Sequence, residues 1–334
     1  MSLTLLPNEN ASTFRPDAEL IDRFRKDLDA VVAPNVSVGL GVSGGPDSLA
    51  LLLLAAAARP GLIEAATVDH ALRPESRAEA EMVAALCEQI GVPHEILTVE
   101  WKQKPETAIQ ERARFHRYRL LSKWAEDRKL RGILTAHHLD DQAETFVMRL
   151  LRGAGVRGLG GMRPIVKSGP GAPIGRPLLG WRRSELGQVC AAAGLRPAAD
   201  PSNDDQQFER VRTRQALAEA DWLDPNAIAR SAANLAQADA ALKWATDIEW
   251  KRAVKAGPDG VIYQPTGAPL DIVRRIVRRA VLRLATEGGG AELRGSELDR
   301  LVAALNKRKK ATLRGVVCVG GEEWRFAKAP PRKD

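Results

Sequence analysis

Three cysteines in 334 residues, Cys87, Cys190 and Cys318, stand far apart, and no C-x-x-C pair occurs. That spacing argues against a zinc knuckle or a cysteine-ligated iron–sulfur cluster and suits a reducing compartment. The chain also has no uninterrupted apolar run of about 18 residues, the length a membrane-spanning helix needs. Its N-terminus carries no basic-then-apolar signal pattern. The expectation is a soluble, cytoplasmic protein with no membrane partner. Acid is in deficit, since 42 Asp and Glu against 50 Lys and Arg leave a formal net charge of +8. Such a surplus favours a polyanionic partner, nucleic acid first, and carries no information about fold.

What is present is a length and a 44% hydrophobic content sufficient for two domains with a proper core. The chain is organised around Ser43-Gly44-Gly45-Pro46-Asp47-Ser48. Residues 36–42, ahead of it, alternate small and branched side chains, and residues 49–55, behind it, form helix strongly. A strand, a glycine turn and a helix in succession aim backbone N–H groups and a positive helix end at one spot. That makes a phosphate cradle, to which the Ser43 and Ser48 hydroxyls add donors. The plain alternative is a tight turn with Ser or Asp capping a buried helix. A Walker loop is excluded because its Lys-Ser/Thr pair is missing.

Residues 1–14 read as a polar tail, and residues 17–32 as an entry helix burying Leu20, Ile21, Phe24 and Leu28. A second strand, 62–68, runs into Asp69 and His70. A helix over 75–90, a strand over 94–99, a long basic helix over 107–128 and a strand over 132–136 follow. This alternation predicts an α/β fold with a doubly wound, mostly parallel sheet, whose ligands sit at the C-terminal edge. The last strand opens into a segment where His137, Asp141 and Glu144 stand at i, i+4 and i+7. On a helix that begins early enough they share a face and could hold Mg²⁺. In the alternative, Asp141 caps the helix and Glu144 reaches back, a capping box that needs no metal.

Residues 152–176 are too rich in Gly and Pro for regular structure and read as loops, either plain connections or Arg-bearing lids and RNA contacts. A helix over 184–193 precedes Asp200, Ser202 and Asn203, and then Arg210, Arg212 and Arg214. Three arginines at alternate positions cannot share one helix face, so some turn inward, where guanidinium grips phosphate bidentately. The texture changes near 222, giving an N-terminal domain, 1–222, and a smaller, mainly helical C-terminal domain, 223–334, that ends in a β-hairpin. Residues 226–254 are an Ala-rich helix whose Trp244 and Trp250 serve packing. Residues 269–285 form an amphipathic helix with Arg274, Arg275, Arg278 and Arg279 on its polar side. That side is either a solvated face or an RNA backbone contact.

Four segments in order resemble the tRNA(Ile)-lysidine synthetase family of PP-loop ATP pyrophosphatases. They are the Ser43 to Ser48 loop; Val68-Asp69-His70-Ala71-Leu72-Arg73; Ala113-Arg114 with Arg117-Tyr118; and residues 136–145. Arg176-Pro177-Leu178-Leu179 and the stretch from Asp200 to Arg214 extend the resemblance over residues 35–222. The C-terminal third adds only Thr312 to Gly315. The resemblance implies a ligase that adenylates the wobble cytidine of the CAU anticodon of an isoleucine tRNA with ATP. Free L-lysine then displaces AMP to leave lysidine, which switches codon reading from AUG to AUA. The resemblance places Ser43, Gly44, Gly45, Pro46, Asp47, Ser48, Asp69 and His70 on ATP. It places Mg²⁺ on Asp47, Asp141 and Glu144, the last two alternatively on the lysine ammonium. His137 and Arg114 would approach the α-phosphate or the base, and Arg210, Arg212 or Arg214 would stabilise transition-state charge. A homodimer is left open. The rivals are a PP-loop tRNA thiolase, which usually needs paired cysteines, and an inactive tRNA-binding protein of the same fold.

Overall fold

In the computed structural model the described residues are 15–330, apart from 74, 102, 104–106, 168–170, 196–206, 259, 286–292 and 294. The expected N-terminal tail, Asp200, Ser202, Asn203 and residues 331–334 lie outside the described residues. The chain divides into two compact units, Met1–Asn234 and Leu235–Asp334.

The first unit contains α1 (Ala18–Asp29), β1 (Val38–Gly41), α2 (Pro46–Ala58), β2 (Ile63–Asp69), α3 (Glu75–Gln89), β3 (His94–Thr98), α4 (Ile109–Asp127) and β4 (Ile133–Leu134). It continues through α5 (Leu139–Leu151), α6 (Val156–Leu159), β5 (Ile165–Val166), β6 (Ile174–Gly175), α7 (Arg183–Ala192) and α8 (Glu209–Glu219), and α9 (Pro225–Ala253) runs on past its end. Its sheet has the order β3-β2-β1-β4-β6-β5. Every pairing is parallel except that of β5 with β6. The expected doubly wound, mostly parallel sheet is therefore present.

Alternate residues of β1 feed two cores. Val38 and Leu40 join α1, α2 and α7 in one cluster, with Phe24, Leu51, Leu54, Trp181 and Leu186. On the other face, Leu121, Trp124 and Ala125 of α4 pack with Ile133. A side chain at Gly39 would put its Cβ 2.4 Å from the Trp124 ring, so glycine is what lets α4 lie close to the central strand. Helix α2 buries every residue from Ser48 to Ala55, because other layers cover it on all sides.

The 152–176 segment is more ordered than its composition predicts. It contains α6, β5 and β6, and side chains of α5 clasp it. Gln142 donates to the Met162 carbonyl (2.8 Å) and accepts from its N–H (2.6 Å), while Arg149 donates to the Gly158 carbonyl at 2.7 Å.

The second unit contains β7 (Val254–Ala256), β8 (Gly260–Tyr263), α10 (Leu270–Leu284), α11 (Gly295–Asn306), β9 (Lys310–Leu313), β10 (Val316–Val319) and β11 (Trp324–Lys328). The expected terminal hairpin is part of a five-stranded antiparallel sheet of order β7-β8-β11-β10-β9. Ile272, Ile276, Val277, Ala280 and Val281 of α10, with Leu301 and Leu305 of α11, pack on Val261, Tyr263, Val316, Trp324 and Phe326 of one sheet face. Among the described residues no helix is long and apolar enough to cross a membrane.

Candidate functional site

The turn between β1 and α2 is held from inside. Ser48 donates to the Gly45 carbonyl at 2.9 Å and accepts from the Ser43 N–H at 3.1 Å, and its hydroxyl is nearly buried. Sequence reasoning counted both hydroxyls as ligand donors. In the structure Ser48 shapes the loop, and Ser43 stands exposed at its rim. Gly44 takes φ +84°, a conformation glycine adopts without strain. No side chain caps α2, whose N-cap is Gly45 and whose first residue is Pro46. The capping alternative therefore fails, and the amino end of a 13-residue helix is left to an anion. Asp47 stands in that first turn, with its Oδ2 3.5 Å from His138 Nε2. Its Oδ1 is buried without a hydrogen-bond partner.

Across the sheet edge, β4 leads to α5, and His138 is the N-cap. The capping box pairs His138 with Asp141, since the His138 N–H donates to Asp141 Oδ2 at 3.0 Å. Glu144, expected to reach back, faces α8 instead. There Arg210 donates to Glu144 Oε2 (2.7 Å) and Asp141 Oδ1 (2.6 Å), and Arg214 donates to Glu144 Oε1 (2.7 Å). Arg212 points the other way and donates to the Gln207 carbonyl. The i, i+4 spacing from 210 to 214 puts two of the three arginines on one face of α8. Asp140 accepts from the Arg183 N–H (2.7 Å) and from Arg182 (3.1 Å), fixing the start of α7.

His137 precedes α5, so it does not share a helix face with Asp141 and Glu144 as the spacing suggested. Its Nδ1 lies 2.9 Å from the Thr135 hydroxyl. Burial lowers its pKa to about 4, Asp141 opposes this, and Arg176, Arg210 and Arg114 reinforce it. For His138 burial acts the same way but is outweighed by Asp140, Asp47 and Asp141, which bring the pKa up to about 9. The Asp141 amide N–H donates to His138 Nδ1 at 3.4 Å, the long half of the capping box, a bond that competes with protonation of that nitrogen. Adjacent imidazoles are thus pushed in opposite directions, His137 toward the neutral form and His138 toward the charged one, a pattern typical of reactive sites. Spacing gave no signal for His138, whose carboxylates converge from α2 and α5.

A cationic flank completes the edge. Arg114 of α4 lies over the Tyr118 ring, 4.9 Å from its centroid, and Arg117 approaches His70 Nε2 at 3.5 Å. Arg176 is buried, donates to the Arg163 carbonyl at 2.7 Å, and leaves its Nε unpartnered. Burial lowers the Arg176 pKa, Tyr118 raises it and Arg114 lowers it further. Among the described residues Arg114, Arg117 and Arg176 have no ion-pair partner. Burial, then Arg117, push the His70 pKa down to about 4, against Asp69 and with a small push from His116. Asp69, expected on ATP, has its Oδ1 committed to the Ala71 N–H (2.8 Å) and the Ser76 hydroxyl (2.7 Å), so it braces the loop beside His70.

Residues 17–221 match the family described as PP-loop domain. The tRNA(Ile)-lysidine synthase of Zymomonas mobilis subsp. mobilis is 40% identical over 333 residues, spanning 98% of this chain and 99% of that protein. This chain belongs to the tRNA(Ile)-lysidine synthase family. The Novosphingobium aromaticivorans relative of the same name is 46% identical over 315 residues, 93% of this chain and 94% of that protein. Among solved structures, the U34-tRNA thiolase NcsA from Methanococcus maripaludis superposes with a TM-score of 0.56 over 66% of this chain and 78% of that one. At 19% identity that likeness speaks for the fold alone.

For this member of the lysidine synthase family, two groupings inferred from sequence change. The first is the metal set. Among the described residues no group of three His, Cys, Asp or Glu side chains could hold a metal ion. The charges of Asp141 and Glu144 are matched by Arg210 and Arg214, which leaves Asp47 Oδ1 as the open oxygen. The second is the arginine side of α10. Arg274 pairs with Asp299 (2.7 Å), Arg275 with Asp239 (2.8 Å) and Asp271 (2.7 Å), and Arg279 with Asp247 (2.8 Å). Arg279 also lies over Trp250, while Arg278 is half-buried and engaged. Acidic residues of α9 and α11 therefore neutralise most of that side. All three cysteines are buried, with thiol pKa values pushed up to about 12 by burial, joined at Cys190 by Asp47, so none is a reactive thiolate.

Proposed function

We propose that the protein ligates free L-lysine to the wobble cytidine of the CAU anticodon of an isoleucine tRNA, consuming ATP and releasing AMP and pyrophosphate. The observation that carries this reading is one sheet edge that holds an uncapped helix terminus, an unpartnered Asp47 oxygen and three arginines with no ion-pair partner among the described residues. Whole-length identity to lysidine synthases supports the choice of reaction.

In the first step the cytidine 2-carbonyl oxygen attacks the α-phosphorus and pyrophosphate leaves. The Ser43 to Gly45 backbone and the α2 terminus receive the departing phosphates, and Arg114, Arg117 and Arg176 offset the charge that builds on the transferring group. Mg²⁺ fits this site as a phosphate-bound ion with Asp47 as its protein oxygen, and when bound it neutralises triphosphate charge. In the second step the lysine amine attacks C2, AMP leaves with the former 2-oxygen, and the amine gives up a proton. His137, whose pKa burial lowers to about 4, is the base we assign to this proton. Burial is the larger cause of its low basicity, and phosphate charge offsets the smaller share due to Arg176, Arg210 and Arg114. Asp141 and Glu144 hold Arg210 and Arg214 in place. They accept the ammonium group of lysine when those arginines turn to phosphate.

The first unit carries the chemistry and the second holds tRNA. On the outer face of the second sheet, one row runs Lys255, Ile262, Arg325, Val319, Lys310 across five strands. Three cations alternate with two aliphatic residues, at roughly 10 Å between charges. Glu323 is the carboxylate near them, 3.5 Å from Arg325 with both side chains exposed, so it subtracts little. The test is incubation with ATP, Mg²⁺, labelled lysine and isoleucine tRNA bearing a CAU anticodon. Label in the tRNA with tRNA-dependent AMP release is expected, and neither appearing would overturn the reading.

A further inference from the structure

Helix α4 has a second face beside the one that carries Arg114, Arg117 and Tyr118. Arg112, Phe115, His116 and Arg119 follow at i, i+3, i+4 and i+7, so they line one stripe. Phe115 is 65% exposed, an unusual position for a large apolar ring on a helix otherwise rich in charge. Isolated surface apolar residues need no explanation, but this one is not isolated. Its ring stands edge-on to His116 at 5.6 Å, and His116 lies 4.6 Å from Trp101. The Trp101 indole N–H donates to the His70 carbonyl at 2.6 Å. An aromatic row thus leads from the solvent directly to the loop at the site. Arg119 reaches His116 Nδ1 at 3.3 Å, and among the described residues neither Arg112 nor Arg119 has an ion-pair partner.

We propose that Phe115 is a stacking platform for an unpaired base of the anticodon loop, with Arg112 and Arg119 on the adjoining phosphates. The inference rests on the tRNA reading given above. An exposed π-face between unneutralised guanidinium groups is the chemistry that binds single-stranded nucleic acid, since every base can stack and the backbone is anionic. A duplex stem has no open base for the ring, so the occupant is the loop. Gripping a neighbouring base also fixes the wobble base relative to the site, where small misplacements are costly.

The test compares wild type with Phe115→Ala, Phe115→Leu and Phe115→Trp in lysidine formation and in binding of an isolated anticodon stem-loop RNA. Phe115→Ala and Phe115→Leu should raise KM for tRNA and the stem-loop Kd by about 5- to 100-fold, because leucine keeps apolar area but offers no π-face. Phe115→Trp should match wild type or bind more tightly. KM for ATP and the melting temperature should not move, since the ring is exposed. Removing Arg112 or Arg119 should lower the salt dependence of stem-loop binding by about one unit of slope each. Unchanged tRNA KM in both Phe115→Ala and Phe115→Leu would overturn the proposal, as would an equal rise in KM for ATP, which would mark a structural role. If wild type binds the stem-loop in a Phe115-dependent way but makes no lysidine, the reaction assignment fails and the platform stands. If wild type makes lysidine and Phe115 is indifferent, the platform alone fails.

Discussion

Replacing Asp47 with asparagine should cost the protein its reaction while leaving its melting temperature almost unchanged. Asp47 Oδ1 is buried without a hydrogen-bond partner, an arrangement that costs about 1–3 kcal/mol in the folded state. Against that stand its place in the first turn of α2, about 0.3–1 kcal/mol, and its 3.5 Å approach to His138. The latter is worth about 1 kcal/mol, because Asp140 and Asp141 stay beside the imidazole in the variant. Asparagine keeps a polar atom in that place but not the charge, so it recovers only part of the cost, which offsets the lost terms to a net change of at most about 1 kcal/mol, or roughly 2–4 °C for a unit of this size. The rate should fall by about 10²–10³, the usual loss when one preorganised electrostatic contact to a reacting group is removed. Calorimetry and labelled-lysine incorporation at saturating ATP measure the two quantities. A fall in melting temperature of more than about 8 °C combined with a rate within tenfold of wild type would refute the reasoning.

Glu144→Ala should lose both stability and activity. Its carboxylate is almost fully buried between Arg210 and Arg214, and its loss leaves Arg214 without a carboxylate and Arg210 with Asp141 alone, which costs about 2–4 kcal/mol, toward the low side because both arginines are partly exposed. Thermal denaturation reads this directly. Arg275→Ala should act on folding rather than on RNA, since the guanidinium bridges Asp239 and Asp271. We expect a loss of about 1–3 kcal/mol with an unchanged salt slope of tRNA binding, whereas Lys255→Ala and Lys310→Ala should lower that slope without destabilising the fold. Stability should also fall on acidification below pH 6.5. The His70 pKa is held near 4 in the folded protein, so between those values the unfolded chain binds more protons. The contribution is complete above pH 6.5 and shrinks as pH falls toward 4, and His70→Gln should flatten that slope in denaturant melts at pH 7.5 and 5.

The parallel sheet was legible because its strands are short apolar runs bounded by glycine turns, and because the loop after β1 has a composition few other turns share. The strands that escaped notice are those that pairing alone creates. β5 and β6 contribute two residues each, and only pairing makes them strands, β6 with Ile133 and Leu134 of β4 and β5 through the register of Ile165 with Gly175. β7 reads in sequence as the end of α9 until Val254 meets Tyr263. The same distinction governs the site. The i, i+4 rule selects Arg210 and Arg214 over Arg212 once α8 is seen to start at Glu209. A helical wheel likewise displays the arginines of α10, but not the aspartates of α9 and α11 that neutralise them. His138 is the hardest residue to find in the sequence, since Asp47, which lies 91 positions earlier in the chain, meets it only through the sheet.

Charge divides the candidate site into two halves with different duties. In one half, two carboxylates and two guanidinium groups cancel, and the result is position rather than potential. In the other, on the sheet edge where α2 begins uncapped, burial and then Arg114 lower the pKa values of Arg117 and Arg176, against Tyr118. A polyanion relieves that repulsion, so binding energy is stored where a triphosphate would be received. Burial first, and then Arg176, Arg210 and Arg114, lower the His137 pKa, while Asp140, Asp47 and Asp141 raise that of nearby His138. On the proposed assignment of His137 as the base, phosphate in the cationic half offsets the share due to Arg176 and Arg114 and raises the proton affinity of His137 at the stage when an attacking amine must lose a proton. Base strength is then tied to the presence of the activated substrate, which disfavours deprotonating the amine before there is a carbon to attack.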